Sequence, residues 1–498
     1  MDTDPATTST ESTGADPGRW RILAVLLVAI FMSLVSVSSV NVALPSIQSG
    51  LGATASQLQW VLSGYALTFG VVLVAAGRAG DILGRGPLFI TGVVVFTLAS
   101  IWSGLAADPT MLVIARFIQG IGSGLLNPQG VGMIQQYFRG AERGRAFGAF
   151  GSAVGVSVGV GPLLGGLLIQ FGGPQEGWRW IFFINVPVGI LAIVLALLWF
   201  PRPLVVRSPG RTLGGLIRAL DPVGALLLGV AIFAVLLPFM EARAEVSGWL
   251  WALVPVGVIL AAAWIAWERN YRRRGNSSMV DLGIFRTSSF SRGAGLIALY
   301  FLGVTSVWVL VALFFQEGLG HTPLESGLIG LPNAAASALS ATWAGRRVMR
   351  LGRRLVLGGM ASVLLGLGLS VAVIELHGRG LVSEWWLLLT LMFVGLGQGA
   401  VVSPNQTLTL AEVPLEYAGS AGGVMQTGQR VGTSVGIAVI TAVAFTVLDA
   451  GGWANAISIG FGLVALVLLL ALTVGLVDER ARRRSDRGGG RTEATAGG

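Results

Sequence analysis

Fourteen apolar runs, each long enough to cross a hydrocarbon layer, follow one another between residues 21 and 477. A helix needs about 20 apolar residues for that crossing, and lipid offers no water to an unpaired backbone, so runs of this length must be helices. They lie near 21–47, 58–78, 87–106, 110–134, 145–171, 180–201, 221–241, 248–268, 287–316, 323–345, 354–375, 385–408, 418–448 and 455–477. With 53% hydrophobic and 11% charged residues, the chain reads as an all-α polytopic membrane protein. Its 73 glycines suit helices whose backbones approach closely. The first eighteen residues are polar and lack a basic segment, so the first run is expected to be a retained span rather than a leader.

Charge supplies the orientation. The formal net charge is +9 and every basic side chain is Arg. Alternate connections hold Arg78 and Arg85; Arg139, Arg143 and Arg145; Arg202, Arg207, Arg211 and Arg218; Arg269 with Arg272, Arg273 and Arg274; and Arg346, Arg347, Arg350, Arg353 and Arg354. The connections between them hold Arg179, Arg243 and Arg379. Positive side chains are retained on the cytoplasmic side, so both termini are expected there, with multi-pass insertion in a bacterial cytoplasmic (inner) membrane. Basic residues confined to short turns, without interleaved aromatics, argue against a nucleic-acid partner. The absence of Cys excludes thiolate chemistry and Cys-ligated metals; no cofactor, metal or catalytic constellation is expected, and the protein is not expected to be an enzyme.

The chain repeats itself. "GRAGDILGR" at residues 77–85 returns as "GRRVMRLGR" at 345–353, and "GIGSG" at 120–124 returns as "GLGQG" at 395–399. Two six-span halves follow, 21–202 and 287–477. Between them a linker at 203–286 carries two extra spans, and segments 1–20 and 478–498 are expected to be disordered cytoplasmic ends. In the first repeat Gly77, Gly80 and Gly84 permit a tight turn, while Asp81 can cap a helix start and pair with Arg78 or Arg85. In "GVGPLLGG", Pro162 withholds a backbone donor and Gly161, Gly165 and Gly166 present a flat face for another helix.

Arg116 lies inside the fourth span, where a guanidinium costs roughly 3 kcal/mol or more unless it turns inward. Arg430, with Gln426 and Gln429 in the thirteenth span, invites the same argument. Asn41, Gln59, Tyr65, Gln119, Asn127, Gln129 and Gln398 complete the side chains expected to line a central cavity, although each taken singly also reads as glue between helices. His321 and His377 fall in outer connections and read as solvated rings.

Together, "GRAGDILGR", "ARFIQGIGSGLLNP", "GVGPLLGG", "WRWIFFINVPVG" and "QRVGTSVG" resemble the ordered motifs of the major facilitator superfamily, in its fourteen-span drug:proton antiporter branch (DHA2-type multidrug efflux). The resemblance covers roughly residues 20–477. It implies two six-helix bundles plus an inserted two-helix hairpin, alternating access about a midplane site, and a cytoplasmic latch at Asp81 and Arg85. It also implies export rather than import, through "GVGPLLGG". Gly86, Pro87 and Met349 depart from the family pattern, which makes the second copy of the latch the weaker one.

One departure bears on mechanism. Relatives in this branch carry an Asp in span one, and aligning on Asn41–Pro45 places Ser36 there. No Asp or Glu lies deep in any run; Asp221, Glu241, Glu268, Glu317 and Glu375 sit near ends. The expectation is a monomeric secondary transporter that exports small amphipathic compounds, anionic or neutral favoured, linked to protons but without the usual span-one acid. Export of a lipid or cell-envelope precursor is the alternative within transport, and a transport-inactive sensor or scaffold the alternative outside it.

Overall fold

A computed structural model describes residues 18–173, 175–203, 213–241 and 248–495. Arg207, Arg211, Arg243 and most of the amino-terminal segment lie outside those residues. The long helices are α1 (Arg19–Leu51), α2 (Ala55–Leu83), α3 (Arg85–Gly104), α4 (Pro109–Tyr137), α5 (Gly140–Gly172), α6 (Gly177–Trp199) and α7 (Gly214–Glu241). They continue as α8 (Gly248–Arg273), α9 (Ser288–Gly318), α10 (Gly330–Leu351), α11 (Arg353–Gly378), α12 (Glu384–Thr409), α13 (Leu415–Leu448) and α14 (Ala450–Leu476).

Thirteen of these are long and apolar enough to cross a membrane. The remaining one, α10, has the length at 22 residues but carries Ser337, Ser340, Thr342, Arg346, Arg347 and Arg350. The expected tenth run at 323–345 is in fact a short helix, Pro323–Leu328, followed by α10. Thr322 caps the short piece, and Pro332 cannot donate back to Leu328, so the ladder breaks between them. The tail differs from expectation too. Helix persists to Thr495 instead of ending near 477.

Two bundles emerge from the packing. In the first, α2 and α3 lie on α4 and α1 lies on α5; in the second, α10 and α11 lie on α12, and α9 lies on both α13 and α14. Glycine sets the closest approaches. Gly122 meets the Phe96 backbone, and Gly436 meets the Leu302 carbonyl.

The bundles meet along two seams. On one, Gly144, Gly148, Gly155 and Gly159 of α5 face Gly345, Ala341, Ala338 and Ala334 of α10. A Cβ on Gly148 would stand 2.9 Å from the Ala341 carbonyl oxygen, so neither helix has room for interlocking side chains there. On the other, Gly77 of α2 touches the Gly419 backbone at the start of α13, and Gly423 lies on Leu73. The inserted α7 and α8 pack on each other, and α7 lies against α2 and against the helical run of α13 and α14.

Candidate functional site

The latch is built at the Arg-rich end. Gly84 adopts φ 104°, a left-handed conformation that glycine takes without strain, and this lets α2 end and α3 begin with only Gly84 between them. Asp81, one turn earlier, accepts the Gly419 and Ser420 amides at 2.9 Å each, so a carboxylate of one half caps the first turn of α13 in the other. Arg85 holds that carboxylate at 2.9 Å and extends to the Leu415 carbonyl at 2.6 Å, with further bonds to Gly132 and Gln136. Gln135 adds a bond to the Leu410 carbonyl at 2.8 Å. A side chain at Gly77 would strike the Gly419 carbonyl, and one at Gly80 would strike Gln129. Arg78 does not join Asp81. It donates to the Ala219 carbonyl and to Ser277, on either side of the inserted hairpin.

Deeper in the first bundle, Arg116 is among the largest fully buried side chains, at 1% exposure. It donates to the Val61 carbonyl at 2.9 Å and to Gln119 at 2.6 Å, and lies 4.3 Å above the Tyr65 ring. Gln119 in turn donates to Ser100 at 2.7 Å and reaches Ser36 at 3.5 Å. The position where relatives carry an acid thus faces the Arg116 network, with a serine and an amide where the charge would be. The carbonyl, the amide and the aromatic face distribute the guanidinium charge without a carboxylate.

Tyr65 stacks on Phe69 one turn along α2, centroids 6.1 Å apart, and its hydroxyl bonds Ser123 at 2.6 Å. Over Phe69, at 4.4 Å, lies Arg430 of α13, from the other half. Two aromatic rings on one helix therefore stand between a guanidinium of each bundle. Phe69 was not singled out from sequence, because an aromatic at that spacing in an apolar run looks like ordinary core.

Several expected cavity residues are placed elsewhere. Arg116 and Gln119 are sealed within the first bundle rather than wetted. Gln59 donates to the Met240 carbonyl of α7 at 2.8 Å and so faces the inserted hairpin. Gln129 ties α4 to the Ala76 carbonyl at 2.8 Å, and Asn127 bonds back to Ser123 on its own helix. Asn41 is exposed, Gln398, Gln429 and Arg430 are half-buried, and Gln426 is buried with its amide nitrogen unpaired.

"GVGPLLGG" serves two contacts. Ser39 of α1 donates to the Gly161 carbonyl at 2.7 Å and packs on Gly165, while α5 runs unbroken through Pro162. Pro162 and Gly166 line a cleft with Val42, Leu328 and Leu331 at the end opposite the latch.

One sequence reading needs refinement at the ends of the helices. His321 and His377 are only partly solvated; both rings face Glu384, at 3.2 and 3.6 Å, and His321 also stacks on Phe315. Glu325, in the short helix before α10, faces His321 as well, and the Thr322 backbone amide and hydroxyl hold its carboxyl below the usual range. Asp221, Glu241 and Glu268 lie near helix ends, as the sequence placed them, and are buried there, all three on the inserted hairpin.

Two helical bundles joined by glycine seams, and latched at one end by a cross-bundle carboxylate, define a multi-pass membrane carrier. The major facilitator superfamily model matches residues 26–437 and 294–496, and the chain belongs to that family. It is 34% identical over 439 residues to a probable actinorhodin transporter of Streptomyces coelicolor, covering 88% of this chain and 74% of that protein. It is 31% identical to the tetracenomycin C resistance and export protein of Streptomyces glaucescens, covering 86% and 77%. With the puromycin resistance protein pur8 of Streptomyces alboniger it shares 30% identity over 95% and 94% of the two chains. Among solved structures, the human organic anion transporter MFSD10 superposes with TM-score 0.62 at 15% identity, over 92% of this chain and all of that one. The proton:xylose symporter XylE gives 0.63 at 15%, over 91% and 94%. The protein is a secondary transporter of the drug-exporting kind, and its substrates are small molecules.

Proposed function

We propose that the protein exports small amphipathic compounds, anionic or neutral in preference to cationic, by rocking its two halves about the Tyr65–Phe69 pair. The Arg-rich end faces the cytoplasm of a bacterial inner membrane, both termini lie there, and the carrier works as a monomer with halves at 21–202 and 287–477. The observation that carries the substrate preference is Arg430. It is half-buried, lies over the Phe69 ring, and has no carboxylate in ion-pair distance among the described residues. Arg116 is already engaged by Val61 and Gln119, so Arg430 is the guanidinium left to meet a carboxylate or phenolate. The aromatic pair offers a face for a planar apolar body.

Access alternates when the Asp81 cap and the Gly77–Gly419 contact separate at one end while the cleft at Pro162 closes at the other. Proton linkage supplies the driving force, without a span-one acid. The test is efflux from vesicles loaded with fluorescein or with ethidium, for wild type and Arg430→Gln. Fluorescein export is expected to fall about tenfold, the scale of one charge-assisted bond of roughly 1.5 kcal/mol, with ethidium export no lower. Equal loss for both dyes would sink the charge preference.

A further inference from the structure

The inserted hairpin holds two acids in surroundings that do not suit two charges. Asp221 stands at φ 46° at the start of the apolar part of α7, 1% exposed, and accepts the Gly224 amide at 3.0 Å and the Trp267 indole at 3.1 Å. Glu268 of α8 is also 1% exposed, and neither of its oxygens has a hydrogen-bond partner. The Trp264 indole and the amides of Met279 and Val280 face it without closing a bond. A side chain on Gly224 would strike Asp221 Oδ2 and stand 3.2 Å from Glu268 Oε1, so the two carboxyls flank one glycine.

Tyr271, Arg272 and Arg78, near the pair, are engaged elsewhere, and the Arg218 side chain is exposed. The Tyr271 hydroxyl donates to the Arg218 carbonyl at 2.7 Å, and Arg272 pairs with Asp281. Arg78, from α2, donates to the Ala219 carbonyl and to Ser277, and lies over the Tyr417 ring. An ionised carboxylate held from water costs several kcal/mol, which donors that only face it offset in part, and a second carboxylate beside it raises that cost. Protonating one carboxyl of such a pair relieves both penalties.

We propose that Asp221 and Glu268 form a proton-binding carboxyl pair whose occupancy is transmitted to the latch through Arg78. Uptake converts one carboxylate to a carboxylic acid and changes no other covalent bond. The two backbone segments that frame the pair are the two that Arg78 grips. Ala219 lies two residues before Asp221, and Ser277 lies two residues before Met279. Next to Arg78 in the chain is Gly77, which touches Gly419 across the seam. A proton gained or lost at the pair alters the repulsion between α7 and α8, shifts those segments, and thereby moves the residue beside the inter-bundle contact. This deepens the reading of proton-linked export, and its test stands apart from transport.

Full-length protein in lipid nanodiscs is titrated by infrared difference spectroscopy. At neutral pH a protonated carboxyl band is expected in wild type, lost in Glu268→Gln and retained in Arg78→Gln. Asp221→Asn serves as the second variant, expected to shift the band. A band unchanged in both acid variants overturns the pair. The link is read separately, with Gln135→Cys as a reporter, since the wild-type chain has no Cys and Gln135 is 1% exposed. Maleimide labelling there is expected to change at least threefold between acid and neutral pH, and to become flat when Glu268→Gln or Arg78→Gln is added. Labelling that keeps its pH dependence in both overturns the transmission. A band and labelling that behave as expected, with export indifferent to a proton gradient, would retire proton-linked export and leave the pair standing.

Discussion

The two copies of the duplicated turn, residues 77–85 and 345–353, occupy matching places and hold the molecule together by different means. In the first, Asp81 and Arg85 join the halves by charge, through the Gly419 and Ser420 amides and the Leu415 carbonyl. In the second, Met349 stands at the acid's position and is 54% exposed, while Arg353 turns inward to Asn405 of its own half. What crosses between the halves there is backbone, Gly345 against Gly144 and Gly148. One copy is a directional, desolvation-sensitive lock; the other is a shape match. A duplicated sequence can thus keep its glycines for packing in both places and a charge contact between the halves in one.

The sharpest way to break this contrast is Asp81→Asn, which removes the charge from two amide bonds and an ion pair at once. Losses of about 3 kcal/mol correspond to a roughly hundredfold fall in export, with increased labelling of a cysteine placed at Gln135. Arg85→Ala should follow at about thirtyfold, because Asp81 then keeps its amide donors but loses its counter-charge. Gly345→Val tests the shape match. Its methyl groups would strike the Gly144 carbonyl, and overpacking of about 1–3 kcal/mol predicts a fall of roughly tenfold, relieved in part by no charge substitution. Met349→Asp should have the smallest effect, about twofold or less, because an exposed side chain gains only a weak surface pair. A large rescue or loss from Met349→Asp would mean that the second copy also works by charge.

The fold was legible because lipid leaves the chain few choices. Run length gave the spans, and the glycine-spaced repeat gave the two halves. The latch was legible for the same reason, since Asp81 and Arg85 recur in a recognisable frame. The centre was harder. Gln59 and Gln129 looked like cavity residues because an amide in an apolar run has the same appearance whether it bonds a backbone carbonyl or a substrate. Phe69 went unseen because one aromatic among many carries no mark of its partner. Asp221 and Glu268 sit near helix ends, where acids are usually wet, and only the packing of the hairpin and the residues after it shows them sealed. Among the described residues no carboxylate was found within ion-pair reach of Arg116 or Arg430.

The row of glycines and alanines between α5 and α10 has a kinetic consequence. Surfaces without interdigitating side chains can slide through small angles without rotamer changes, so the seam itself adds little friction to the motion. The height of the barrier is then concentrated at the terminal fastening, and altering that fastening changes how long each orientation persists more than how tightly cargo is held.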